Sequence, residues 1–316
     1  MKQYTIFYDD YQEGIWFRRL DPHLSDAELS VIPSKKSEII ACGLDDILKY
    51  DRPDIILQDR GESILVLERT SEVPSGHNAG QRYGRLLAAA EERVPVVYFG
   101  PYMAYKHGGD TAGPRYMNLR LFYSLQNVSE QFDTAITTIN WPVDQRCEVL
   151  KTPEKDARVK EYMELFFSYY DAHGSAGLTE YIKESSFQEE QYQEQKWFAE
   201  HMIQSPEQYD DPPGSVEILS VESFQRKSGI RIVDLERKIV VYHIGMTYIR
   251  SDPYAGMAAL YKHLYCQNGE PLILHFGRIK KNKWYQQSAA SKTYRMFKQF
   301  ADAIWFQDGF AGRNDL

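Results

Sequence analysis

The alternation of apolar and polar residues divides the chain into short predicted elements. Residues 37–50 (SEIIACGLDDILKY) carry apolar side chains at 39, 40, 44, 47 and 48, a helical spacing. Residues 53–58 (PDIILQ) open after a proline and read as a strand, closed by a turn from Gln58 to Gly61. Residues 63–70 (SILVLERT) are apolar in succession and polar only at their end, the pattern of a buried strand. Ser75 offers an N-cap to the next helix, whose apolar face holds Tyr83, Leu86, Leu87 and Ala90. His77, Gln81 and Arg85 recur at i, i+4 and i+8 on another face. Residues 94–99 (VPVVYF) predict a third strand, so the order is helix, strand, strand, helix, strand.

The rest of the chain is less regular. Residues 1–33 are mixed and yield no assignment, and PRYMNLRLFYS reads as a strand or a short helix with basic teeth. Residues 155–205 look helical and are rich in acids and aromatics. The strongest break is Asp210–Gly214 (DDPPG). Beyond it, 216–223, 230–234 and 238–249 read as strands, and Asp252-Pro253 starts a helix through about Gln267, with Asp at the N-cap and Pro at N1. Residues 271–276 (PLILHF) predict another strand, and an amphipathic helix is expected over about 289–306. The expected architecture is α/β. A mixed central sheet flanked by helices occupies 1–150, a helical segment follows over 151–212, and 213–316 forms a C-terminal α/β unit.

Composition narrows the classes. With 43% hydrophobic and 26% charged residues the 316-residue chain has a globular balance. No apolar run approaches the roughly 20 residues of a membrane span. The acidic, aromatic start MKQYTIFYDDYQEGIWF lacks the basic and apolar parts of a signal peptide, so a cytoplasmic protein away from membranes is expected. Cys42, Cys147 and Cys266 are scattered and odd in number, which predicts reduced, mostly buried thiols rather than a disulfide or zinc framework. The formal charge of −8 argues against a diffuse polyanion-coating protein, yet is compatible with a local basic cleft. No GxxxxGK[ST], GxSxG or HExxH motif occurs, which turns the reading away from nucleotide motors and those hydrolase classes.

The candidate chemistry lies in Pro53-Asp54, a 13-residue gap, and Glu68-Arg69-Thr70. Asp54 starts one predicted strand, while Glu68 and Thr70 end the next on one face, because residues i and i+2 of a strand point the same way. A short turn makes the strands antiparallel, which brings Asp54 beside Glu68. Two adjacent carboxylates repel unless a cation lies between them. A hard, oxygen-liganded Mg²⁺ answers that repulsion.

This layout resembles the PD-(D/E)xK nuclease superfamily, and within it the type II restriction endonucleases. Asp54 matches the first acid and Glu68 the second. Thr70 stands where the family usually has Lys, although some members carry other residues there. The resemblance covers about residues 37–100. It implies a restriction-endonuclease-like core and a Mg²⁺-dependent, sequence-specific cleavage of double-stranded DNA, with Asp54, Glu68 and Thr70 catalytic. It further implies Glu38 in the preceding helix as an added metal ligand, Gln81 as a positioning group, and a methyltransferase acting on the same site. Two strands to cut, on symmetric DNA, suggest a homodimer.

Other segments suggest how DNA is held. His77, Asn78, Arg82 and Arg85 surround a helix start, where free N–H groups favour a phosphate. Arg115, Asn118 and Arg120 form a second candidate surface, since Arg and Asn read guanine and adenine edges. Lys280, Lys281, Lys283 and Trp284 make the clearest basic and aromatic patch, and the C-terminal unit carrying it is a candidate for DNA recognition or dimerisation. Asp234-x-Glu236-x-Lys238 mimics the acid motif but falls between two apolar runs and reads as a hairpin turn. Two other classes stay open: a non-catalytic DNA-binding protein on a degenerate nuclease core, and a defence or repair nuclease acting on RNA or branched DNA.

Overall fold

The computed structural model describes residues 3–105, 113–202, 206–230, 237–248, 252–289 and 291–315. The chain forms two compact units. The first comprises residues 1–75, 85–118 and 125–204, and the second comprises 76–84, 119–124 and 205–316. The helical stretch before DDPPG therefore belongs with the N-terminal sheet. Both units are α/β, with sheets of mixed strand direction covered by helices.

In chain order the first part of the molecule runs β1 (Tyr4–Tyr8), α1 (Tyr11–Arg18), β2 (Glu28–Val31), α2 (Lys36–Ala41), β3 (Ile55–Asp59), β4 (Glu62–Arg69), α3 (Asn78–Glu91) and β5 (Val96–Gly100). It continues with β6 (Met103–Ala104), β7 (Arg115–Tyr116), α4 (Leu119–Phe132), β8 (Ile136–Asn140), α5 (Ala157–His173), α6 (Leu178–Lys183) and α7 (Ser186–His201). The main sheet has the order β2-β1-β3-β4-β5-β8. Strands β1, β3 and β4 are antiparallel neighbours, whereas β4, β5 and β8 are parallel. Strands β3 and β5 are buried at every position, which explains their unbroken apolar runs.

The N-terminal segment that gave no pattern folds because Asp10 caps α1, its side chain accepting from the Gln12 and Glu13 amides. The predicted helix at 37–50 is shorter, ending at Ala41, since Gly43 takes a left-handed conformation at φ 64°. The helix expected from Ser75 begins at Asn78. The segment read as a strand or short helix resolves into β7 and the long helix α4.

The second unit contains β9 (Val216–Leu219), α8 (Val221–Ser228), β10 (Ile239–His243), α9 (Asp252–Tyr265), β11 (Leu272–Phe276), α10 (Lys281–Tyr285), α11 (Lys292–Phe300), β12 (Ala303–Phe306) and β13 (Gly309–Gly312). Its sheet order is β13-β12-β11-β10-β9, with β10, β11 and β12 parallel. Phe224 of α8 packs on Ile239, Val241, Ile273 and Ala303 on one sheet face. The strand read over 216–223 stops at Leu219, because Ser220 caps α8 by accepting from the Ser223 amide. The helix read over 289–306 ends at Phe300, and Ala303–Phe306 is a strand paired with Leu272–Phe276. Asp234 and Glu236 of the motif that mimics the acid pair, and most of the strand read at 230–234, lie outside the described residues.

Cys266 is buried, and burial pushes its thiol up to about 12. Cys42 and Cys147 are only half-buried, less than their spacing led us to expect. No described helix is long and apolar enough to cross a membrane.

Candidate active site

The antiparallel register pairs Ile55 with Leu67, which sets Asp54 level with Glu68. Asp54 is 7% exposed and Glu68 is fully buried. Helix α3 supplies the cation between them. Arg85 Nη1 donates to Asp54 Oδ1 at 3.2 Å and to Glu68 Oε1 at 2.9 Å, and its Nε lies 3.9 Å from Asp51 Oδ2. These three acids hold the Arg85 guanidinium in its charged form against the cost of burial. The other Asp54 oxygen, Oδ2, accepts from the Arg69 amide at 2.7 Å.

A second pair borders the first. Helix α1 brings Glu13 to Arg69, with Oε1 at 3.3 Å from Nη1. Burial first, then the charge of Asp54, raises the Glu13 carboxyl to about 7. Arg69 lies between two indoles, 4.5 Å from the Trp16 ring and 4.9 Å from the Trp141 ring. Phe99 stacks on Trp141 at 4.7 Å and on Trp16 at 6.0 Å, so an aromatic layer backs the guanidinium.

Of the residues singled out from sequence, Asp54, Glu68 and Arg85 meet in one place. Thr70 is close in sequence but engaged elsewhere. Its hydroxyl accepts from the Glu72 amide at 3.1 Å and donates to the Glu72 carbonyl at 3.2 Å, closing a local turn. Glu38 sits in the solvent-facing first turn of α2, paired with Lys35 at 3.0 Å. His77 and Asn78 are exposed, and Gln81 and Arg82 are half-buried, all among residues of the second unit. His77 packs against Tyr254, their ring centres 4.5 Å apart.

Arg115 on β7 reaches Ser75 Oγ at 3.4 Å, and Asn118 is buried with its amide on the Pro74 carbonyl. Arg120 is only 6% exposed. It donates to Tyr265 Oη at 3.0 Å and to the Gln208 and Asp211 carbonyls at 2.7 and 2.6 Å, so its donors are spent inside the second unit. Trp284 is fully buried against Phe276, Tyr294 and Phe306, a core residue rather than a surface reader. Lys280 and Lys283 remain exposed beside it, and Lys283 Nζ lies 5.9 Å over Tyr248.

Glu13, Trp16, Arg69 and Trp141 are the residues that sequence reasoning missed. A usable signal was Asp10 followed three residues later by Glu13, the spacing of an N-cap and a first-turn acid.

Among the described residues, no group of three or more His, Cys, Asp or Glu side chains is arranged to hold a metal ion. The donor chemistry of the acid pair nevertheless suits a hard cation, because one oxygen from each carboxylate converges on a single positive centre. In this structure that centre is Arg85 Nη1. Comparison with protein-family models, with curated proteins and with solved structures finds no match to this chain.

Proposed function

We propose that this protein is a Mg²⁺-dependent endonuclease that hydrolyses phosphodiester bonds of double-stranded DNA. The observation that carries the reading is the convergence of Asp54 and Glu68 on one cationic position at the C-terminal end of β4. The elements around the pair support it: α2, then antiparallel β3 and β4, then α3 and a parallel β5, the order of the PD-(D/E)xK core.

Asp54 and Glu68 would hold the ion, which when bound supplies charge neutralisation for the phosphodiester and acidifies a water. Arg85, which here occupies the position between the carboxylates, has the fork of donors that would suit a phosphate oxygen beside them. Glu13, poised near neutrality, holds or takes up a proton beside Asp54. Arg69, fixed by its two indoles, presents positive charge next to the acids. Thr70 fixes the turn after β4 in place of donating an ammonium. Lys280 and Lys283 contribute phosphate contacts from the second unit. Cutting both strands calls for a homodimer, and protection of host DNA for a methyltransferase of the same specificity.

Plasmid incubation with Mg²⁺ and with EDTA tests this. Discrete, Mg²⁺-dependent fragments are expected, and Glu68→Gln should slow cleavage by about two to three orders of magnitude. Undiminished cutting by Glu68→Gln would overturn the assignment.

Arg85 also favours a second reading, a non-catalytic DNA-binding protein whose arginine has permanently replaced the metal. That reading predicts a DNA gel shift unaffected by Mg²⁺ and no cleavage.

A further inference from the structure

Beyond the acids, the first unit holds an apolar cavity of about 300 Å³, lined among others by Tyr102, Tyr116, Asn140, Trp197, Phe198 and His201. The volume is at the small end of ligand pockets, which run from about 300 to 1,000 Å³. Its walls are aromatic. Phe198 lies 5.5 Å from the Tyr102 ring and 6.2 Å from the Tyr116 ring, and all three are buried. At the rim Trp197 is 61% exposed, an uncommon position for so large an indole. It stacks on His201 at 4.6 Å with the planes 12° apart.

The polar atoms are few and have defined roles. Asn140 Oδ1 accepts from the Tyr102 amide at 3.0 Å and Nδ2 donates to Glu194 at 2.9 Å, which leaves one lone pair and one N–H of the amide for a ligand. His201 Nδ1 lies 2.8 Å from the Trp197 carbonyl, which can only accept, so Nδ1 carries a proton and Nε2 is the ring nitrogen that a ligand would meet.

Position adds the third argument. Strands β4, β5 and β8 are parallel, with Arg69 level with Phe99 and Gly100 level with Asn140. Glu68 near the end of β4 and Asn140 at the end of β8 therefore share the C-terminal edge of the sheet. Thr138 is level with Glu68 through Tyr98, two strand spacings or about 10 Å across the sheet, and Asn140 lies two residues further along the same strand. Ligands of such sheets gather at that edge.

The geometry points to this cavity as a receptor for a single nucleobase, extruded from the duplex next to the phosphate at the acid pair. A planar π-face suits the aromatic walls, and an edge carrying both donors and acceptors suits Asn140 and His201. The inference rests on the nuclease reading for its substrate. An apolar protein side chain would fill the walls but leave the Asn140 amide unused.

The test measures binding of the full-length protein to two short DNA duplexes in EDTA, one fully paired and one with a single mismatched base. A mismatched base is easier to extrude, so its duplex should bind about tenfold or more tightly. Trp197→Ala and Met103→Trp, which respectively strip the rim and fill the cavity, should erase that preference. A 5-iodouracil at the mismatch should photo-crosslink to Trp197. Equal affinity for the two duplexes, or a preference that survives both substitutions, overturns the pocket. Cleavage in Mg²⁺ is read separately. Cutting without a mismatch preference leaves the nuclease standing and removes the pocket, whereas a preference that both substitutions erase, without any cutting, does the reverse.

Discussion

Arg85 offers one nitrogen to two carboxylates, Asp54 and Glu68, and a third acid lies near its Nε. Removing that cation leaves buried negative charge uncompensated. Arg85→Ala should therefore cost about 3–5 kcal/mol of stability, measured by urea denaturation without divalent ions. If the carboxylates are metal ligands, Mg²⁺ should restore part of that loss and raise the melting temperature of the variant with concentration. A melting curve of Arg85→Ala that ignores Mg²⁺ would sink the metal assignment while leaving the salt bridge intact. Glu13 yields a second expectation at this scale. Its folded carboxyl is raised from the ordinary 4.5 to about 7, so between those values the folded state binds the extra proton. The stability it contributes is complete at low pH and is lost as pH rises through about 7. Glu13→Gln should flatten that decline.

Helices α3 and α9 meet through glycine within the second unit. A methyl group on Gly80 would overlap the backbone of Met257 and Pro253, and one on Gly256 would overlap the Gly80 carbonyl. Gly80→Ala should destabilise by about 1–3 kcal/mol, read by denaturant unfolding, because neither obstacle is a flexible side-chain tip. This contact also shows where sequence pattern stops. GHNAGQR announced small residues at a helix start, but only the fold reveals that Gly80 serves helix packing. The strands β3, β4 and β5 were legible because burial on both faces leaves a continuous apolar run. Helix α4 was obscured because its polar residues are partly buried: Asn118 and Arg120, near its start, find partners inside the protein. The last helix was over-extended because AIWF continues an apolar pattern that fits both a helix and a strand of the neighbouring sheet. Asp54 and Glu68 announced themselves by spacing along two strands. Glu13 and Trp141 did not, since they arrive from α1 and from the end of β8, far away in sequence.

The two units carry titrating groups of opposite sense. His263 in the second unit is buried and lowered to about 4, and burial, with His243 beside it, lowers His275. A depressed histidine leaves the unfolded chain binding the extra proton, so this stability is present above about 6.5 and is lost as pH falls toward the folded values. The second unit should thus weaken on acidification where Glu13 steadies the first. Hydrogen exchange resolved by segment across pH 4.5 to 7 is expected to show protection of 206–316 rising with pH, with His263→Leu reducing the slope. A pH profile identical in both units would contradict the assignment of these groups.

The division of the chain between those units has a consequence for biosynthesis. Residues 76–84 and 119–124 leave the ribosome well before 205–316, yet they belong to the same compact unit as that distant stretch. Ala79, Tyr83, Leu119, Leu121 and Phe122, all buried in the finished protein, must wait for more than eighty residues of later chain before the rest of their unit exists. Nascent protein stalled near residue 200 would display that greasy surface to molecular chaperones, and the pace of translation through the acidic helices before DDPPG would set how long the exposure lasts.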